Sequence, residues 1–452
     1  METKAWLKEK INNFFWTKVE IYPLITFRIL FGILTLVSTL RFLILGWVED
    51  QYVKPVFHFK YFGFEWVEVL PYPWIYIPFI LMIISSIGII LGAWYRLSAI
   101  VFFLSFTYVE LLDLTYYLNH YYFVSLVALI MIFLPANRLW SIDVIINPKI
   151  KTYYINSIFI NILKFQIGIV YFYAGIAKIN YDWLIEAMPL KLWLPANDNM
   201  PIIGWLFNYT FTAYVFSWAG MLFDLSVVFF LLNKGTRLLA YFTLVLFHII
   251  TGWMFQIGVF PLVMSTCTLI FFSNRFHQNI LNFLPAFKKL ALKEESFLNF
   301  RQNSLKKYAI YTVVGAYILF QVLFPFRYLL YRGNLFWTEE GYRFSWRVML
   351  IEKAGTATFY VIDSKNGIEG VVYNGDFLNQ HQEKQMSFQP DMILQFAHYL
   401  KKYYSEIGVT DPKVRCEAYV TLNGRQSRLL IDPNLDLTTV KDSFKPKYWI
   451  LD

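Results

Sequence analysis

The chain has 452 residues, of which 57% are hydrophobic and 20% aromatic but only 16% charged; its mean hydropathy is +0.45. This excludes an ordinary soluble globular protein and points to a polytopic membrane protein. The net charge of +9 does not indicate nucleic acid as a partner, because the basic residues fall between apolar segments and form no stripe with interleaved aromatics.

Residues 1–20 are charged and aromatic (Lys8, Lys10, Phe14, Phe15, Trp16) and lack the apolar core and cleavage site of a signal peptide. They predict an amphipathic segment lying on the membrane surface. Residues 21–326 predict a transmembrane helical domain. A span needs about 20 apolar residues, and nine segments qualify: 22–47, 74–94, 97–112, 121–134, 154–177, 214–232, 238–255, 259–272 and 308–326, the fourth and eighth being short.

The distribution of Lys and Arg tests this count independently of hydropathy. With the N-terminus inside, the inner segments carry Lys4, Lys8, Lys10, Lys18, Arg96, Arg138, Lys149, Lys151, Lys234, Arg237, Arg275, Lys288, Lys289, Lys293, Arg301, Lys306 and Lys307. The outer loops carry only Lys54, Lys60, Lys178 and Lys191. Lys178, ending the fifth span, and Asn119-His120, opening the fourth, then share the outer face.

Residues 327–452 predict a small soluble α+β module, placed outside by the odd number of spans. Segments 343–350 and 356–362 have strand character, and the turn Ser364-Lys-Asn-Gly367 leads to a strand at 369–373. Residues 390–404 have helical periodicity, and a second hairpin, 415–422 with 426–431, turns at Asn423-Gly424.

Cys267 and Cys416 make no disulfide framework, and the six dispersed histidines give no metal-ligand spacing, so no metal site is expected. Met221, Met254 and Met264 read as packing residues. Polar groups within spans are costly enough to be functional candidates: Arg28, Glu110, Lys164, Asp224 and His248. Their alternative is internal pairing, for example Arg28 with Glu110 or Asp224, that fixes helix packing. Asn119 reads as the cap of the fourth span. Lys178 either snorkels its ammonium into the headgroups or sits in a dry pocket and serves as a base. The tract of Arg327, Tyr328, Trp337, Thr338, Glu340, Tyr342 and Trp346 is either domain-interface packing or the substrate-side wall.

The tract Tyr171-Phe-Tyr-Ala-Gly-Ile-Ala-Lys178-Ile-Asn-Tyr-Asp-Trp183 resembles the vitamin K-dependent γ-glutamyl carboxylase family. The likeness recurs in order at Arg28-Ile-Leu-Phe-Gly32, Leu118-Asn-His120-Tyr-Tyr, Asn137-Arg-Leu-Trp-Ser-Ile-Asp143, Phe247-His248 and Phe255-Gln-Ile-Gly258. It continues through Asn334-Leu-Phe-Trp-Thr-Glu-Glu-Gly341-Tyr-Arg-Phe-Ser-Trp346 to Ile431-Asp-Pro433, so it covers nearly the whole chain. The resemblance implies a carbon–carbon lyase in the membrane that uses reduced vitamin K, a naphthohydroquinone, with O2 and CO2 as co-substrates. In that chemistry a lysine deprotonates the quinol, and oxygenation yields a strongly basic alkoxide that ends as the epoxide. The alkoxide takes the γ-proton of a peptide glutamate, and the carbanion captures CO2.

Lys178 matches the family's lysine base, and His120 matches a histidine that supports the oxyanion. Asn119, Tyr171, Tyr173 and His248 are the candidate quinone-binding residues, with desolvation by Tyr171, Phe172, Tyr173 and Trp183 as the route to a neutral amine. Arg327, Tyr328, Trp337, Glu340, Tyr342 and Trp346 are the candidate substrate-binding residues. The implied partners are the lipid bilayer, through which a quinone arrives laterally, and a glutamate-containing peptide or protein from the outer aqueous side. Two departures stand out: animal members continue beyond the point where this chain stops, and they carry a second lysine where this chain has Ala177. The compact length suggests a bacterial homologue in the inner membrane, with its N-terminus cytoplasmic and its module periplasmic. Two alternatives stay open: a quinol epoxidase that carboxylates no peptide, and a non-enzymatic transporter or receptor, whose inverted repeats are not evident.

Overall fold

The computed structural model describes residues 2–255, 257–282 and 296–451. Lys288, Lys289 and Lys293 of the expected inner surface, Gln256 of the 255–258 motif and Asp452 lie outside the described residues.

Among the described residues, six helices are long and apolar enough to cross a bilayer: Tyr22–Ile44, Trp74–Leu91, Ile158–Ala177, Thr210–Leu232, Arg237–Met254 and Ser304–Leu330. The other three expected spans are shorter helices, Tyr95–Leu111, Asn119–Phe133 and Phe260–Phe271. At 1.5 Å per residue, 15 residues reach about 22 Å, short of the roughly 30 Å hydrocarbon core. The chain is therefore an integral membrane protein by six helices, with three shorter helices packed among them.

Residues Glu2–Trp16 of the expected surface segment form a helix. It is anchored rather than merely resting on the membrane, since Trp16 donates its indole N–H to Tyr311 Oη at 2.6 Å. Strand β1 (Lys18–Glu20) then pairs antiparallel with β2 (Tyr154–Asn156), which pairs parallel with β3 (Phe297–Leu298). This small sheet ties together three segments that the charge pattern assigned to one side.

Arg28 overturns its expected ion pairing. Its guanidinium donates to the carbonyls of Ala136 at 2.8 Å, Trp140 at 2.5 Å and Ile90 at 3.3 Å. Gly92 makes this possible. Its φ is +62°, and a Cβ there would fall 2.5 Å from Arg28 Nη1, so the turn between two helices can close over the cation only as glycine. Two loop carbonyls and one near a helix end pair both terminal nitrogens of Arg28, with no carboxylate hydrogen-bonded to it among the described residues.

At the opposite end sits the module, a four-stranded antiparallel sheet in the order β5-β4-β6-β7. The strands are β4 (Lys353–Ile362), β5 (Glu369–Val371), β6 (Lys413–Leu422) and β7 (Arg428–Leu429). Helix Pro390–Glu406 covers the sheet through the buried Met392, Phe396, Ala397 and Leu400. The turn at Asn423-Gly424 has positive φ at both residues, +51° and +70°, as a two-residue hairpin favours.

The strand expected at 343–350 is absent. Phe344, Trp346 and Met349 take positive φ, and the segment drives its aromatics into the bundle instead: Trp346 is fully buried and stacks on Tyr122 at 4.9 Å. Loops at the module's end of the bundle grip it by backbone and side-chain bonds, as between Lys60 N and Gln395, Gln382 and Asp113, and Asn379 and Tyr116.

Candidate functional site

Lys178 caps the C-terminus of helix Ile158–Ala177. The helix crosses Thr210–Leu232 closely because Gly175 has no side chain; a Cβ there would lie 2.7 to 2.9 Å from Cγ, N and Cδ2 of Leu225. The close approach brings Lys178 against the residue beside Leu225. Lys178 Nζ donates to Asp224 Oδ2 at 2.7 Å and to the Ala174 carbonyl at 3.3 Å.

The ammonium is not in water: Lys178 is 6% exposed and Asp224 4%. Beyond Nζ, the chain turns at Asn180, whose side chain caps the short helix Tyr181–Leu184. That turn lays the Trp183 ring 5.3 Å from Nζ. Trp183 is fixed in turn by donating its indole N–H to the Ser217 carbonyl at 2.9 Å, while Ser217 Oγ donates to the Trp183 carbonyl.

Lys178 and Asp224 open onto a cavity of about 430 Å³. Its walls are Phe223, Phe247, Leu246, Ile250 and Trp193, with Val348 and Met349 entering from the segment that leads to the module. Apart from the lysine–aspartate pair, its main polar feature is the Tyr171 hydroxyl, 2.8 Å from His248 Nε2. Met254 and Met264, read as packing residues, also line it.

The expected site residues are only partly brought together. Lys178, Tyr171 and His248 share the large cavity. Tyr173 points elsewhere, donating its hydroxyl to the Val322 carbonyl of the last membrane helix, and Phe172 is 41% exposed on the outside of the bundle; of the expected desolvating rings, Trp183 and Tyr171 remain. His120 lines a separate, smaller cavity with Glu110. Asn119 does not cap its helix, whose cap is Leu118; its side chain donates to the Arg347 carbonyl at 3.0 Å and accepts from Tyr117 Oη at 3.0 Å. It holds the module's approach segment.

The residues expected to form a substrate wall do not line the large cavity. Arg327 ties down its own tract, donating to Ser345 Oγ at 2.9 Å and to the Arg343 carbonyl. Tyr328 lies under the Arg347 guanidinium at 4.5 Å. Trp337 is buried in the module, donating to the Leu451 carbonyl at 2.6 Å with Arg428 stacked on it at 4.1 Å. Glu340 and Tyr342 are likewise packed there, Tyr342 against Phe336. Val348 and Met349, just beyond Trp346, reach the cavity instead.

Asp182 carries a contact that sequence alone did not single out. Its carboxylate accepts from Arg425 Nη2 at 2.5 Å, Arg425 Nη1 at 2.8 Å and Asn423 Nδ2 at 2.7 Å. The Arg425 hydrogen bonds hold its pKa below the usual carboxylate range against the opposing effect of burial. The module's hairpin thus clamps the loop that covers Lys178. A signal was present in Asp182-Trp183 of the lysine tract and in the Asn423-Gly424 turn, but their meeting is a matter of topology.

Comparison with known families agrees with this architecture. Residues 16–276 match the HTTM domain, and residues 306–452 match the vitamin K-dependent gamma-carboxylase lumenal domain. No solved structure matches the chain.

Proposed function

Because the chain belongs to the vitamin K-dependent γ-glutamyl carboxylase family, with its HTTM domain followed by the lumenal domain, we propose that it couples oxygenation of a reduced naphthoquinone to carboxylation of glutamate side chains, using Lys178 as the base. The observation that carries this reading is the buried Lys178–Asp224 pair on the wall of an apolar cavity. The cavity suits the quinol: about 430 Å³ lies within the roughly 300–1,000 Å³ typical of small-molecule sites, with aromatic walls and few polar groups. Phe223, Phe247 and Trp193 would hold the ring system, with the Tyr171–His248 pair as a polar anchor. Bound there, reduced vitamin K supplies the reducing power that, with O2, generates the base able to take a glutamate γ-proton.

The chain's own part is proton management. In a cavity with few water-exposed polar atoms, Lys178 Nζ can accept a proton only if its own is held elsewhere, and Asp224 Oδ2 at 2.7 Å is placed to hold it. Such a transfer within the pair leaves two neutral groups and avoids an isolated charge in a low dielectric. Trp183 and Gly175 keep the pair dry and close. Val348 and Met349 mark the side from which a peptide glutamate would enter, while helices Thr210–Leu232 and Arg237–Met254 form the lipid-facing side from which a quinol would enter. The reading also puts the N-terminus in the cytoplasm and the module outside; the support is that three of the five basic inner segments meet in one sheet at the end away from the module.

The test uses purified protein with reduced vitamin K, O2, labelled CO2 and a short glutamate peptide, following epoxide and fixed label separately. Lys178→Ala is expected to abolish epoxide formation, with partial rescue by a small exogenous amine. Full turnover by Lys178→Ala would overturn the lysine's role, and epoxide without fixed label would leave a quinol epoxidase.

A further inference from the structure

Lys164 is a cation inside a membrane helix that the Lys178 site does not use. It lies about 9 Å along helix Ile158–Ala177, counting 1.5 Å per residue from Ile158. This is the end of the bundle away from the module, because strand β2 of the small sheet ends just before the helix begins. The side chain is half-buried, with Nζ 5.8 Å from the Phe271 ring. Among the described residues no carboxylate pairs with it and no oxygen accepts from it.

A second cation approaches from helix Arg237–Met254. Arg237 donates Nε to the Leu231 carbonyl at 2.8 Å and Nη2 to the Leu232 carbonyl at 3.2 Å, two acceptors left over at the end of helix Thr210–Leu232. Its Nη1 has no acceptor among the described residues. Tyr241, one turn on, packs on Phe272 at 5.1 Å, so the aromatic pair Phe271-Phe272 lies between the two cations. Arg237 and Lys164 are close enough to interact through their charges.

The surroundings supply no counter-charge. His277 is buried within reach of the Lys164 charge and cannot be an anion. Glu20, the carboxylate bonded to the helix of His277, is engaged by Gln278 Nε2 at 3.0 Å. Two cations without a carboxylate at the margin of hydrocarbon are costly, and an anion from outside the chain would offset that cost.

Two features favour an amphiphile over a free ion. Side chains lean toward the N-terminus of their helix, so Lys164 directs its ammonium toward the headgroup level. Leu238, Leu239 and Phe242, which follow Arg237, are exposed apolar residues on which acyl chains can lie.

We propose that Lys164 and Arg237 hold the phosphate of an anionic phospholipid, with its acyl chains on Leu238, Leu239 and Phe242. Lys164 Nζ and Arg237 Nη1 donate to the phosphate oxygens. A basic pocket between membrane helices is suited to such a headgroup. The site is remote from Lys178 and does not rest on the carboxylase reading.

The test follows lipid binding by the purified full-length protein in native mass spectrometry after detergent exchange. Phosphatidylglycerol is the probe; phosphatidylcholine with the same acyl chains and inorganic phosphate are the controls. Phosphatidylglycerol is expected to bind more tightly than phosphatidylcholine. Its affinity should fall about fivefold in Lys164→Met and again in Arg237→Gln, and Lys164→Arg should retain it. Equal affinity for the two lipids, unchanged affinity in Lys164→Met, or displacement of the lipid by equimolar inorganic phosphate would overturn the proposal. Should Arg237→Gln fold poorly without its bonds to Leu231 and Leu232, Lys164→Met decides alone. Heat denaturation gives a second reading: phosphatidylglycerol should raise the Tm of the wild type more than that of Lys164→Met, and equal rises would overturn the site.

Discussion

Arg425→Ala should loosen the loop that covers Lys178 without touching the lysine. Asp182 would lose two charge-assisted hydrogen bonds, at 2.5 and 2.8 Å, and keep the one from Asn423. Hydrogen bonds to charged groups are worth about 1.5–3 kcal/mol each when buried. The Arg425 side chain is 50% exposed, however, while that of Asp182 is 12% exposed, so solvent replaces part of what is lost and the net cost should be about 1–2 kcal/mol. Hydrogen–deuterium exchange reads this directly: amides of residues 180–186 should exchange about 5–30-fold faster in the variant. A cycle with Asp182→Asn should return a coupling of similar size. Because Trp183 lies in the same loop, epoxide formation should fall as well. Unchanged exchange at 180–186, or a coupling near zero, would refute the clamp.

Gly175→Ala should cost about 1–3 kcal/mol in thermal stability by overpacking, because the new methyl meets the backbone of Leu225. It should also lower epoxide formation, since Asp224 moves with Leu225; a stable and fully active variant would show that the helix contact does not set the pair. Asp224→Leu strands a buried ammonium and should destabilise the protein by about 3–5 kcal/mol, whereas Lys178→Met combined with Asp224→Leu should recover most of that stability and remain inactive. Recovery of activity in the double variant would remove both residues from the mechanism. Acid should open the clamp: the pKa of Asp182 is lowered in the folded state, so its contribution is present above the unfolded value of about 3.9 and is lost as pH falls through the folded value. Exchange at 180–186 should therefore rise on acidification below about pH 4 in the wild type and less in Arg425→Ala.

Hydropathy and charge made the large features legible. The apolar runs became helices, three of the five basic segments met in one sheet, and strands β4 to β7 of the module fell where alternation and turn residues put them. What failed did so for identifiable reasons. Segment 343–350 alternates like a strand, but its aromatics find more burial inside the bundle than a sheet edge offers, so it folds as turns around Trp346. Arg28 looked like an ion-pair partner because sequence lists side chains and hides the free carbonyls of the loop that folds over it. The lysine tract was visible, yet its two aromatics separated by one residue face different ways on a helix, as Tyr171 and Tyr173 do. The pairing of Lys178 with Asp224 spans 46 positions, and no periodicity could have chosen Asp224 over Glu110.

Lys178 is buried rather than snorkelling, and its burial depends on both halves of the chain. A lysine at the C-terminal end of a membrane helix would ordinarily extend toward water. Here three things oppose that: Asp224 holds Nζ, Trp183 covers it, and the loop carrying Trp183 is fastened from outside through Asp182. Removing the lid would give the ammonium a route to solvent and remove the reason for it to stay paired. The module therefore does more than cap one end of the bundle: through Asn423 and Arg425 it fastens the loop that keeps Lys178 and Asp224 out of water, as the proposed proton transfer within the pair requires. On the proposed reading, any peptide that shifts the β6–β7 hairpin would act on Lys178 without contacting it.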